Sequence, residues 1–381
     1  MILAALSIAI SQLVFDNARI ASAEDAGKLW GTPLYGPMMI VDGNTREFVR
    51  NDGTSGTLPK ETIVANTAST IDGTLTTMIA LQSLGATAVQ QRRLAMHECW
   101  HRIQNDIGFP ASNPNNAHLD TVDGRVSLQL ELRALAAALR ATGKERTDAI
   151  RDAVAFRFAR RAQFKEAGEL ERALENNEGL AEYTGVALRG TPAEESRLVI
   201  AREIEHVDPK TSFVRGFAYL TGPAYGLLLD EAKPGWTRTY KVTDDLAIVL
   251  YGSDKAPALL RGARYGAAGL RTSEEKRDSE QRERVARYRA RLVDGPVIEL
   301  PMGQFGFDPN TVVSLGDAGN AYPTFNVTGA WGHISVDQGA RIPNDWSKIF
   351  VAAQDRGKLE LKPTCKLVPG KRDGDWRVSC E

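Results

Sequence analysis

The chain is short of charge imbalance, of long apolar runs, of histidine and of cysteine, and each shortage narrows what it can do. Its 381 residues carry 47 basic and 48 acidic side chains, a formal net charge of −1. No excess of positive charge is available to hold nucleic acid or an anionic membrane surface. No apolar run is long enough to cross a bilayer. The one at the start, Met1 to Ile10, gives way to Asp16 and Arg19. It also lacks the Lys or Arg that would precede the core of a signal peptide, although Ala21-Ser22-Ala23 resembles a small-residue cleavage site. Residues 1–23 are therefore read as a targeting segment of a secreted or periplasmic protein, with an amphipathic N-terminal helix as the alternative.

Three cysteines allow one internal bridge. Cys365 and Cys380 flank a strand-turn-strand pattern, and a disulfide between them would need an oxidising compartment. Two reduced thiols are the alternative. Cys99 falls on a helical stretch and reads as a buried small apolar residue.

Only five histidines are present, and two of them stand four apart in His97-Glu98-Cys99-Trp100-His101. From Ala86 to Ile107 no Gly or Pro interrupts the chain, so a helix is expected over 86–107. On a helix, positions i and i+4 share a face. Both imidazoles can then converge on one metal ion, with Glu98 about 100° further round.

A second acidic pair follows in Asn177-Glu178-Gly179-Leu180-Ala181-Glu182-Tyr183, again at a spacing of four. Glu182 lies among apolar neighbours, and a buried carboxylate needs a partner. A helix over 175–188 is expected to carry the pair. Further on, Tyr219-Leu220-Thr221-Gly222-Pro223 precedes an apolar run. Pro223 fits the first turn of a helix there.

With these motifs, residues 92–230 resemble the gluzincin zinc metallopeptidases. In that family His-Glu-x-x-His is completed by a glutamate on a second helix, which aminopeptidase-N-like members carry in Asn-Glu-Gly-x-Ala. The resemblance implies one Zn²⁺ held by His97, His101 and Glu178, with Glu98 as general base. It further implies that Glu182 orients a zinc-bound histidine, and that Tyr219, in a Tyr-x-x-Gly stretch, stabilises the oxyanion. Tyr225 and His118 are alternatives for that last role. The interval from His101 to Glu178 is longer than in aminopeptidase-N-like enzymes, and no Gly-x-Met-Glu-Asn stretch for binding a free amine occurs. The implied activity is hydrolysis of a peptide or protein substrate. A metal-containing binding protein without catalysis, and a hydrolase of non-peptide amides or esters, are the alternatives.

The expected fold class is α+β and zincin-like. Short strands at Met38–Val41, Arg46–Arg50, Glu61–Ala68 and Leu75–Leu81 form a small sheet ahead of the metal helix. Asn51 to Pro59 and residues 108–125 read as loops. Helical stripes run from Val126 to Asn176. A catalytic domain is expected over 24–250, a charged helical linker over 251–294 and a β-rich domain over 295–381. The strand around Ile63–Asn66 is expected to line the cleft and to pair with an extended peptide.

Overall fold

The computed structural model describes residues 2–59, 62–257, 261–308 and 311–381. The expected strand at Glu61–Ala68 thus begins outside the described residues. The fold is α+β: a helical core with an N-terminal and a C-terminal sheet region. The chain divides into two compact units, Met1–Glu274 and Glu275–Glu381. The division falls inside one helix, Ala267–Arg289, between the boundaries expected at 250 and 294. Among the described residues, no helix is long and apolar enough to cross a membrane.

In the first unit, helix α1 (Ile2–Asp25) precedes a five-stranded sheet. Its strands are β1 (Met38–Val41), β2 (Glu47–Arg50), β3 (Ser55–Thr57), β4 (Thr67–Ile71) and β5 (Thr74–Ala80), in the order β3-β2-β1-β5-β4. β3 lies within the stretch expected as a loop. Only β1 and β5 are parallel. Asp72 and Gly73, both at positive φ, make the two-residue turn that right-handed strand twist favours. That turn folds β4 back on β5 and leaves β4 at the sheet edge, with no further strand beside it among the described residues.

Thr87 caps helix α2 (Ala88–Ile103) in a reciprocal capping box with Gln90. α2 packs against α1, β4 and β5. The other helices are α3 (Val122–Arg140), α4 (Gly143–Gln163), α5 (Ala167–Leu174), α6 (Leu180–Ala187), α7 (Ala193–Glu205), α8 (Phe213–Gly216), α9 (Ala218–Ala232), α10 (Leu246–Tyr251) and α11 (Ala267–Arg289). A π-helical turn, Glu175–Gly179, joins α5 to α6. Pro223 lies in the second turn of α9 rather than its first, because the helix begins at Ala218. Its missing N–H leaves the carbonyl of Tyr219 without its helical partner.

The segment read as a removable leader is part of this unit. Val14, Phe15, Ala18 and Ala21 are buried in the main core. The Ser22 hydroxyl accepts bonds from the backbone N–H groups of Leu34 and Tyr35. A cut at Ala23 would remove all of these contacts. The structure has these residues in the helix Ile2–Asp25.

The first unit also holds a buried ionic network. Arg157 bonds Glu131 and grips both oxygens of Glu175, and Arg160 bonds Glu131 and Glu171. All five are buried, so each charge depends on its partners.

The second unit is β-rich. Its strands are β6 (Val297–Pro301), β7 (Gln304–Phe307), β8 (Val313–Ser314), β9 (Asn320–Tyr322), β10 (Phe325–Gly329), β11 (Gly332–Val336), β12 (Ala340–Ile342), β13 (Lys348–Ala352), β14 (Leu359–Leu361), β15 (Cys365–Pro369) and β16 (Trp376–Cys380). They form sheets ordered β14-β11-β10-β7 and β15-β16-β6-β13-β12-β9-β8. Alternating inward residues such as Phe325, Val327, Ile334 and Val336 fill the core. Cys365 and Cys380 face each other in the β15–β16 register and are joined in a disulfide.

Candidate metal centre

Three elements bring the acidic and imidazole groups together. α2 supplies His97, Glu98 and His101, a group that could hold a metal ion. The π-helical turn supplies Glu178, and α6 supplies Glu182. Close packing is made possible by glycine. A Cβ at Gly185 would sit 2.5 Å from the carbonyl oxygen of Arg93, and one at Gly222 would collide with the backbone of Gly179. These bare crossings let α6 reach α2 and let α9 reach the π-helical turn.

The Nε2 atoms of His97 and His101 are 3.2 Å apart, and each is 3.7 Å from Glu178 Oε2. Donors of a tetrahedral site with bonds of about 2.0–2.1 Å stand about 3.3 Å apart, so this triangle fits such a site with small adjustments.

Hydrogen bonding fixes which atoms face inward. Glu178 Oε1 can only accept, so Asn177 presents Nδ2 to it at 3.0 Å. Asn177 Oδ1 then accepts from Gln104 Nε2 at 2.9 Å, and Gln104 Oε1 faces His101 Nδ1 at 2.8 Å. His101 therefore carries its proton on Nδ1. His97 Nδ1 donates to Glu182 Oε2 at 2.6 Å. Both Nε2 lone pairs, together with a carboxylate oxygen, are thus aimed at one point, an arrangement that calls for a positive charge.

In the protein alone a proton meets that need. Burial works against a charge on His97, but Glu178 and Glu182 outweigh it and lift its pKa to about 10. Burial also opposes ionisation of Glu178 and Glu182. His97 and Tyr219 nonetheless hold Glu178 at about 2, and His97 with Arg93 holds Glu182 at about 2. Glu98 behaves oppositely. Burial raises it to about 7, with His97 pulling down and the two other glutamates pushing up. Its Oε2 is buried and has no hydrogen-bond partner among the described groups, which suits a group awaiting a polar ligand.

These residues open onto a cleft of about 710 Å³. Ile63, Ala65 and Asn66 line it together with Thr67, Ala68 and Ser69, so residues on the edge strand and just before it form one wall. Tyr219 lines it too. Its ring stacks on His97 and its hydroxyl donates to Glu178 Oε2 at 2.5 Å. Burial, then Glu178, raises its pKa, so it stays a donor.

The two alternatives to Tyr219 lie elsewhere. Tyr225 is fully buried and donates to Glu131 at 2.8 Å. His118 pairs with Glu171 at 2.9 Å in the ionic network. Neither lines the cleft. Cys99 is fully buried, with burial pushing its thiol up to about 12.

Sequence reasoning missed four participants. Gln104 and Asn177 relay between His101 and Glu178. Arg93 bonds Glu182 at 2.6 Å and holds Glu203 with both arms. Arg215 donates to Glu178 Oε1 at 3.0 Å. Helical spacing could have flagged Gln104, three after His101, and Arg93, four before His97. Asn177 was visible only as part of a motif, and Arg215 had no local signal.

No family model, curated protein or solved structure matches this chain.

Proposed function

We propose that the chain is a zinc-dependent hydrolase of peptide bonds. The observation that carries this reading is the convergence of His97 Nε2, His101 Nε2 and Glu178 Oε2 beside the unpartnered Glu98 oxygen in an open cleft. A structural metal site has no use for that fourth group. Two imidazoles and one carboxylate are a donor set that suits zinc and leaves one position open.

Bound there, zinc supplies Lewis acidity, acidifying water and polarising a carbonyl. Glu98 takes a proton from the attacking water and delivers it to the leaving nitrogen. Its buried, unpartnered Oε2 is placed to take up that proton and return it. Tyr219 donates a hydrogen bond from its hydroxyl to the oxyanion as charge develops. Glu182 and the Gln104–Asn177 pair hold the imidazoles in the required tautomer. The exposed side of β4 offers backbone groups to an extended substrate. The Cys365–Cys380 bridge favours an oxidising compartment, secreted or periplasmic.

Metal content tests the reading first. About one zinc per wild-type chain is expected, sharply reduced in Glu178→Ala. Glu98→Gln should keep its zinc and lose about 10²–10⁴-fold in turnover on peptides. A chain that takes up no zinc when it is offered, or a fully active Glu98→Gln, overturns it.

A further inference from the structure

We propose that Arg215 anchors a free carboxylate, so that the bond cleaved is the C-terminal peptide bond, one residue from that carboxylate. The inference rests on the hydrolase reading above and adds its substrate class.

Among the described residues lining the cleft, Arg215 is the only lysine or arginine. Three carboxylates, Glu98, Glu178 and Glu182, line the same space. Glu182 is matched from behind by Arg93, which does not face the cleft. An anionic substrate group entering here would meet Glu98 and Glu178, and Arg215 is the one arginine or lysine among the described lining residues placed to receive it.

The guanidinium is suited to the task. Its side chain is 46 % exposed, while Glu178 it touches is only 9 % exposed. One arm bonds Glu178 Oε1 and the other bonds Asn113 Oδ1. Tyr219 bonds the group as well. These neighbours fix its plane, and of its five N–H donors those they do not engage are left for a ligand. A carboxylate matches the arginine fork in a bidentate fashion.

Proximity selects the length of the leaving group. Arg215 Nη2 is 3.0 Å from one oxygen of Glu178, whose other oxygen faces His97 and His101, so a carboxylate on Arg215 lies next to the place where the scissile carbonyl would sit. One residue of about 3.5 Å between the two groups is the shortest link, and each further residue adds about 3.5 Å that this short span would have to absorb by folding back.

The test compares N-acetylphenylalanine with N-acetylphenylalaninamide, and an N-blocked dipeptide with its C-terminal amide. Binding of the first pair is measured by calorimetry on zinc-loaded Glu98→Gln protein, which removes turnover from the readout. The acid is expected to bind at least tenfold tighter than the amide. Arg215→Ala on that background should abolish the preference while zinc content stays near one per chain. Equal affinity for acid and amide overturns the proposal. So does a preference that survives Arg215→Ala, since the metal alone would then account for it. Should Arg215→Ala shed its zinc, Arg215→Lys, which keeps the charge without the fork, replaces it and should weaken the preference several-fold; an unchanged preference there overturns the proposal. Turnover separates the two claims. Equal cleavage of blocked dipeptide and amide by wild type leaves the hydrolase and removes the anchor. Acid-selective binding with no peptide cleaved leaves the anchor and removes the hydrolase.

Discussion

Glu182 lies against His97 on one side and Arg93 on the other, and removing its charge should be felt at the metal. Glu182→Gln keeps the shape but weakens the bond to Nδ1, so zinc affinity should fall about 10–100-fold. Competition with a chromophoric chelator reads this directly. Gln104→Leu should act similarly through His101, since the relay through Asn177 is cut. An unchanged affinity in both variants would mean that the imidazoles are oriented by packing alone. The i, i+4 pairs His97/His101 and Glu178/Glu182 were legible in the sequence because helical spacing fixes which side chains share a face. Their joint orientation was not, because Gln104 and Asn177 are 73 residues apart.

At the scale of elements, the approach of α9 to the π-helical turn is set by Gly222 against Gly179. Gly222→Ala should push α9 outward, draw Tyr219 away from Glu178 and reduce both stability and zinc affinity. A variant that melts and binds zinc like wild type would show that the crossing has slack. Helix α1 contributes through Phe15, which is 1 % exposed in the main core. Phe15→Ala should destabilise by about 3–5 kcal/mol, read by denaturant unfolding. A change within a few tenths of that scale's unit would mean that residues 1–23 do not belong to the folded unit. Composition by itself does not distinguish an apolar helix that is discarded from one that is buried.

For the whole molecule, buried carboxylates govern the response to acid. Burial works against ionisation of Glu131 and Glu171. Arg157 and Arg160 outweigh it at Glu131, and Arg160 with Arg161 outweighs it at Glu171, so both lie below the usual carboxylate range. Groups depressed in the folded state contribute stability above their unfolded pKa of about 4.3 and lose it as pH falls further. Glu175 runs the other way, raised by burial, and tempers the loss. The melting temperature of the first unit should therefore hold from pH 7 to 5 and fall below about pH 4.5. A flat profile to pH 3 would mean that the network is not ionised as drawn. In the second unit, the disulfide spans 15 residues. Cys380→Ser should cost about 3 kcal/mol, seen as a lower melting temperature.

The sequence by itself determined the elements: a short sheet, a helix carrying His97, Glu98 and His101, a second acidic helix and a β-rich C-terminal unit. These follow from local rules of periodicity, capping and turn chemistry that act within a dozen residues. It also placed Tyr219 near the start of a helix, but could not choose between Tyr219, Tyr225 and His118. The tertiary structure shows which of the three lines the cleft: Tyr219. The glycine crossings bring Tyr219 onto Glu178, while Arg157, Glu131 and Glu171 draw Tyr225 and His118 into a buried network. Such choices depend on which groups find partners 41, 53 and 94 residues away along the chain, and spacing along the sequence carries no record of that distance in space.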